Sequence, residues 1–461
     1  MGSGFLDNLV GWGIAFGGMR VVDILKGLGE WVESPVDGDF SGVCVDSRGD
    51  CEGKVFFALK GERFDGHDFV DQALEKGAIC GVVERGIGER LFRVEDTLFA
   101  LGEVAKRWRL SVDPIVVGIT GSSGKTTTKE MLIRILAGSF RVAATSGNQN
   151  NLVGVPLNLG NMPCNTQIFV AEMGTNAKGE IARLSDICMP DIAVVTSIAE
   201  SHLEGLGSVE GVFEEKISIV GDRTRVLFFP DASPFADRAF AVCAERGVEF
   251  VGVGTPSSGF YVVETEPGLF RFVIGGSVYE GVFSFCGDHM GFDALVAVLV
   301  AARLGVDPED ALNRLAEFEP VEGRFKLIRL GDLLVIDDTY NANPLSTSAA
   351  LMYLSKVKKK RAFVFGDMLE LGRDSEELHR QIGRRAFASG VDFMVTIGKD
   401  ARLSLEEFVA LGGRGVHCES HEEAVERLVG EVDGGWVVLV KGSRGMRMER
   451  VVEGVRRCFG S

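Results

Sequence analysis

Basic residues are scarce in this chain. Its 461 residues carry 49 Lys and Arg against 66 Asp and Glu, a formal net charge of −17. Neutralising a nucleic-acid backbone takes a basic face, and the only basic block is Lys356-Val357-Lys358-Lys359-Lys360-Arg361, which reads as the solvated end of a helix entering a strand. A nucleic-acid partner is therefore not expected. An anionic small molecule still is, because backbone amides, Mg²⁺ and a few local cations can screen its phosphates.

Other absences narrow the class further. The nine cysteines include no C-x-x-C pair, and their odd number fits neither a disulfide framework nor a zinc site, so reduced thiols in the cytoplasm are expected. No apolar run reaches the roughly 20 uncharged residues of a membrane span. Residues 1–18 are fairly apolar but contain no Lys or Arg, so they lack the basic start of a secretory signal, and Met19 is an alternative start. With 46% hydrophobic and 25% charged residues the chain is not disordered, and its length suggests about three domains.

The pattern along the chain is α/β. Residues up to 113 mix short strands (42–45, 55–59, 78–83) with helices at 70–76 and 97–109, and Asp113-Pro114 then marks a break. Residues 114–320 alternate strands (115–119, 167–171, 192–197, 226–229) with helices, which predicts a parallel sheet covered on both faces. An antiparallel insertion is expected near 260–285, and a helix over 292–304. Residues 321–461 repeat the rhythm with strands at 333–336, 362–365, 393–397 and 436–440, a second open sheet. Ligands in such sheets bind at the carboxyl ends of strands, where the polar clusters fall.

The strongest of these clusters is Gly118-Ile119-Thr120-Gly121-Ser122-Ser123-Gly124-Lys125-Thr126-Thr127. A glycine-rich turn between a buried strand and a helix points successive amides at phosphate oxygens; Lys125 reaches the β- and γ-phosphates and Thr126 holds Mg²⁺. The usual spacing calls for glycine at 119. Ile119 stands there, so the turn must rest on Gly121 and Gly124. Glu172, at the tip of the next strand, is placed to reach the same Mg²⁺, although an acid at a strand end is often only solvated. His202 follows a third strand tip and either joins Glu172 at a metal or is an ordinary satisfied histidine. Lys216 alone reads as an exposed helix lysine. The loop 145–151, with Asn148 and Asn151, and the run Asp337-Asp338-Thr339-Tyr340-Asn341-Ala342-Asn343-Pro344 carry more hydrogen-bonding side chains than turns require.

Together these segments resemble the Mur ligase superfamily over essentially the whole chain. The resemblance rests on Asp46-Ser47-Arg48, 55–61 and 65–69; on 120–127, 147–156, Glu172-Met173-Gly174 and 202–216; and on Gly323-Arg324-Phe325, 337–344, Gly366-Asp367-Met368-Leu369-Glu370-Leu371-Gly372 and Lys441-Gly442-Ser443-Arg444-Gly445. The 337–344 and 366–372 runs look like the D-alanyl-D-alanine-adding branch. The Asp-Asn-Pro-Arg segment of the diaminopimelate- or lysine-adding relatives is absent, as is the Asp-Gly-Ala-His-Asn-Pro segment of folylpolyglutamate synthetases.

The resemblance implies a small α/β N-terminal domain (1–113) binding a uridine nucleotide, a central P-loop parallel-sheet ATPase-like domain (114–320) and a C-terminal Rossmann-like α/β domain (321–461) closing on ATP. It implies ATP-driven joining of D-alanyl-D-alanine to UDP-N-acetylmuramoyl-tripeptide by a monomer. Gly121 to Thr127, Arg324 and Asp338 would hold ATP; Thr126 and Glu172 one Mg²⁺; His202 and a carbamylated Lys216 a second; Lys125, Lys216, His202 and Arg324 would serve catalysis. Ser47 and Arg48 would bind the uridine nucleotide, and Asn148, Asn151, Asn341 and Asn343 the other substrate groups, with the last pair on the dipeptide. One stretch departs from the family's His-Asn-x-x-Asn: here His289-Met290-Gly291-Phe292-Asp293 replaces both amides, so adenine recognition must differ.

Overall fold

The computed structural model describes residues 18–61 and 63–460, so the apolar segment 1–17 read above lies outside the described residues. The chain is α/β, with three domains. In the first, strands Val43–Cys44, Val55–Phe57, Cys80–Val83 and Leu91–Val94 run parallel, and Gly29–Trp31 closes one edge antiparallel. Val55–Phe57 and Cys80–Val83 are buried throughout, as strands covered on both faces must be.

Six parallel strands form the central sheet, in the order Glu249–Val253, Val226–Pro230, Ile192–Val195, Ile115–Thr120, Ile168–Glu172, Val142–Ala144. The middle strand is β-branched and buried (Ile115-Val116-Val117-Gly118-Ile119-Thr120), and its neighbours end level with it: Ile119 lies opposite Glu172, and Thr120 opposite Val195. The helix Asp288–Arg303 packs along the helix Lys125–Leu136 that follows the loop. Strands Phe260–Glu266, Leu269–Ile274 and Ser277–Val282 form the expected antiparallel insertion.

The C-terminal sheet runs Lys326–Leu330, Leu333–Asp338, Trp436–Lys441, Lys360–Gly366, Phe393–Ile397, Gly415–Cys418, with only the first pair antiparallel. The expected start at 333 is one strand late. Lys326–Leu330 is an edge strand without fully buried residues, so it lacks the apolar run that reveals a central strand. The same holds for Gly29–Trp31 and Val142–Ala144. The strand expected over 192–197 stops at Val195, because Thr196 and Ser197 turn their hydroxyls onto the phosphate loop: Thr196 Oγ1 donates to Ser123 O, and Ser197 Oγ accepts from Ser123 N at 2.8 Å.

A buried cation fastens the first domain to the second. Arg109, fully buried near the end of the helix Thr97–Val112, donates to Cys188 O at 2.9 Å, to Asp191 at 3.1 Å and to Asp113 at 2.8 Å. Asp191 also accepts from Val116 N at the start of the central strand. Arg223 still pairs with Asp191 at 3.2 Å when Arg109 is removed, so the cost is that of the lost charge-assisted hydrogen bonds, about 1.5–3 kcal/mol. Arg109→Met should therefore lower the urea unfolding midpoint by that amount of stability, whereas substitution of the exposed Arg450 should leave it within about 0.5 kcal/mol.

Candidate functional site

The loop between Thr120 and Lys125 turns where the sequence places its glycines. Gly121 has φ 151° and Gly124 φ 86°. A Cβ on Gly121 would collide with the Thr196 hydroxyl, and one on Gly124 with the Asp293 carboxyl, so side chains are barred by both space and backbone geometry. Ile119 is a fully buried strand residue and takes no part in the turn. Gly124 is the N-cap of the helix Lys125–Leu136 and offers no side-chain cap, which leaves first-turn N–H groups for an anion. Lys125 Nζ donates to Gly121 O at 2.6 Å, and burial lowers its pKa, opposed by Glu172.

Glu172 ends its strand instead of following it, and is 1% exposed. One oxygen accepts from Asn150 Nδ2 at 2.8 Å; the other, Oε2, is buried without a hydrogen-bond partner, 3.7 Å from Lys129 Nζ. Such a bare buried carboxylate oxygen, in one pocket with the Thr126 hydroxyl, is a hard donor set that fits Mg²⁺. Among the described residues no three His, Cys, Asp or Glu side chains converge on a cation. A magnesium ion held mainly by substrate phosphates needs no such cage.

Lys216 corrects the reading of an exposed lysine. It sits in the helix Val209–Ile217 at 1% exposure, and burial together with Lys125 pushes its pKa well below the ordinary value. The neighbouring Glu215 carboxylate is spent on the N–H groups of Gly179 and Ile181. His202 has φ 52°, and its Nδ1 lies 2.6 Å from Glu370 Oε2 of the C-terminal domain.

That domain reaches the loop at several points. Arg324 donates to Thr126 Oγ1 at 3.0 Å and lies 3.7 Å over the Tyr340 ring. Asp338 pairs with the buried Lys441. Asn343 caps the helix Pro344–Lys356 and donates to Ser122 O at 3.2 Å, so its amide is a strut between domains. The result is a cavity of about 350 Å³ whose walls include Ser122 to Thr127, Asn148, Asn151, Glu172, His202, Arg324, Asp338, Asn341 and Asn343. Ser47 and Arg48 lie elsewhere, in the first domain: Ser47 Oγ donates to Gln72 at 2.6 Å, and Arg48 pairs with Asp46 at 2.8 Å.

Family models match most of the chain: a Mur ligase family catalytic domain over 39–108, a Mur ligase middle domain over 119–301 and a Mur ligase glutamate ligase domain over 323–444. This chain belongs to the Mur ligase family. It is 36% identical to the UDP-N-acetylmuramoyl-tripeptide–D-alanyl-D-alanine ligase of Bacillus subtilis, covering 89% of this chain and 92% of that protein. Among solved structures it resembles MurF from Acinetobacter baumannii (TM-score 0.85, 31% identity, 95% of this chain and 97% of that one). It also resembles the MurF ligase from Thermotoga maritima in complex with ADP (TM-score 0.81, 30% identity, 91% and 98%).

Five residues of this Mur ligase's site escaped the reading of the sequence. Asn150, between the two asparagines singled out, is the one that bonds Glu172. Lys129 is fully buried, one helical turn past Lys125, and donates to Thr145 O at 2.9 Å; the i, i+4 spacing was its only signal. Glu370 and Lys441 sat inside motifs without an assigned task. Asp293, noted only as a departure, is 6% exposed and presses on Gly124.

Burial raises the Asp293 pKa well above the ordinary value. The folded state therefore keeps a proton that the unfolded chain releases near pH 3.9. Its contribution is intact below that pH and is lost as pH rises through the folded pKa. Asp293→Asn should accordingly raise the thermal midpoint at pH 8 and change it little at pH 4; an equal gain at both would contradict a protonated carboxyl.

Proposed function

We propose that this Mur ligase uses ATP to join D-alanyl-D-alanine to UDP-N-acetylmuramoyl-tripeptide, as a monomer in the cytoplasmic stage of peptidoglycan precursor synthesis. The observation that carries the reading is a phosphate cradle whose far wall belongs to another domain: Lys125 and Thr126 share one cavity with Arg324 and Asn341. A nucleotide switch needs no such second wall. Among the described residues no helix is long and apolar enough to cross a membrane, and all nine cysteines are free, which accords with a reducing compartment.

The substrate carboxylate is a poor electrophile until it is phosphorylated. It attacks the γ-phosphorus of ATP, forming a C–O–P link as the bond to ADP breaks. Lys125 and the free N–H groups of the Lys125–Leu136 helix follow the charge that develops on the phosphoryl oxygens, and Arg324 meets it from the opposite wall. The dipeptide amine then adds to the acyl carbon. Phosphate leaves with the C–O electron pair; of the two protons shed by the original ammonium, one goes with phosphate and one to solvent. Contacts between the domains, such as Asn343 to Ser122, exclude water from the acyl phosphate.

Mg²⁺ bound by Thr126 and Glu172, with a second ion on His202 and carbamylated Lys216, would offset the repulsion between two converging anions. Carbamylation itself requires a neutral amine. The lowered Lys216 pKa supplies one, and addition to CO₂ forms the N–C bond, releases a proton and leaves an oxygen ligand. Ser47 and Arg48 bind the uridine nucleotide, Asn148 and Asn151 the polar substrate groups beside Glu172, and Asp338 the ATP from across the domain cleft.

Phosphate release should require both UDP-N-acetylmuramoyl-tripeptide and D-alanyl-D-alanine. Turnover without either would identify an ATPase instead, and turnover with a single amino acid in place of the dipeptide a sibling ligase. Lys125→Ala should reduce turnover by about 10³-fold and leave uridine-nucleotide binding intact; loss of both would misplace the two sites. Under ¹³CO₂, the wild type should show a carbamate carbon resonance that Lys216→Ala lacks, and acetate should restore part of that variant's activity. A wild-type spectrum without the resonance would remove the modification.

A further inference from the structure

A second, smaller cavity opens beside the first. It measures about 150 Å³ and shares Ser122, Lys125, His202, Asn341, Asn343 and Arg444 with the larger one. Leu369, Glu370 and Leu371 of the 366–372 run, which the mechanism above leaves without a task, supply half of its remaining wall. Of the described residues on that wall, Glu370 is the only carboxylate. Arg444 supplies a cation from the C-terminal domain, and Leu369 and Ala342 supply apolar surface.

Glu370 is held firmly. The two residues before it are pinned through their amides, Met368 N to His379 Nε2 at 2.9 Å and Leu369 N to Ser443 Oγ at 2.8 Å. Glu370 itself has φ 64°, a conformation that a non-glycine residue keeps only when its surroundings enforce it. Its carbonyl accepts from Glu204 N, and Oε2 is taken up by His202. The other oxygen, Oε1, has no hydrogen-bond partner among the described residues and belongs to a side chain on the cavity wall. Arg444 is oriented by the Tyr340 ring, 5.6 Å away, and by Glu449 at 3.3 Å.

A small cavity with one fixed carboxylate, the Arg444 guanidinium and methyl-sized apolar surface, whose other basic residues Lys125 and His202 are engaged with Gly121 O and Glu370 Oε2, suits a short zwitterion. We infer that it seats the acceptor dipeptide with the ammonium on Glu370 Oε1 and the carboxylate on Arg444. The Glu370–His202 bond sets the amine end against a residue of the larger, phosphoryl-transfer cavity, whose wall Arg444 also joins. This inference rests on the ligase reading and adds the two residues that read the acceptor's ends. Asn341 and Asn343 then line its middle.

The test compares D-alanyl-D-alanine with its C-terminal amide, in wild-type enzyme and in Glu370→Gln and Arg444→Ala. A charge-assisted hydrogen bond is worth about 1.5–3 kcal/mol, or roughly 10- to 100-fold in affinity. Glu370→Gln should raise the KM for the dipeptide at least about tenfold and leave those for ATP and the uridine nucleotide unchanged. If it lowers kcat alone, Glu370 merely orients His202 and the inference falls. Wild-type enzyme should disfavour the amide by a similar factor, and Arg444→Ala should treat the two acceptors alike; persistent discrimination would overturn the assignment. Both side chains are more than half exposed, so the variants should fold, as an unchanged thermal midpoint would verify. A wild type that ignores the dipeptide altogether would overturn the ligase reading as well, which separates the two failures.

Discussion

Hydrogen-bond register in the central parallel sheet decides where the charged groups of this site end up. Three adjacent strands stop together, so Thr120, Glu172 and the turn after Val195 share one edge. From that edge the chain makes a left-handed turn at Gly124 into a helix with an uncapped N-terminus. A slip of one residue would exchange the faces of a strand and carry Glu172 away from the loop. Burial then does the rest: Lys125, Glu172 and Lys216 lie close together in a poorly solvated region, where unpaired charge is costly and an incoming phosphate with its counterion is favoured.

The C-terminal domain completes that environment without rebuilding it. Arg324 and Asn343 each form one hydrogen bond to the phosphate loop, and Glu370 forms one to His202. Apolar packing accompanies them: Phe325 and Tyr353 of the C-terminal domain lie in one buried cluster with Phe285 and Met290 of the central domain. The first domain is attached differently. Arg109, Asp113, Asp191 and Arg223 form a network at its junction with the central sheet, with Arg109 fully buried, a join suited to a fixed relationship.

Much of this was legible in the residues. The α/β class, the antiparallel insertion and the reliance of the loop on Gly121 and Gly124 all followed from periodicity and turn chemistry, because buried strands and tight turns restrict composition. Edge strands such as Lys326–Leu330 did not show, since one exposed face erases the apolar run. Side-chain direction within a polar loop was equally hidden: nothing in Asn148-Gln149-Asn150-Asn151 reveals that the third residue turns toward Glu172. Contacts between domains, above all Glu370 to His202 across 168 positions, have no local signature. The burial of Lys216 was unreadable from a short helix that also carries Glu214 and Glu215.

Phosphorylation of the substrate carboxylate leaves a trace in its oxygen atoms. Labelling the terminal carboxylate of UDP-N-acetylmuramoyl-tripeptide with oxygen-18 and following the label through turnover with D-alanyl-D-alanine reads that trace. Each phosphate released should carry one labelled oxygen from the former carboxylate. Unlabelled phosphate accompanying labelled product would contradict carboxylate phosphorylation.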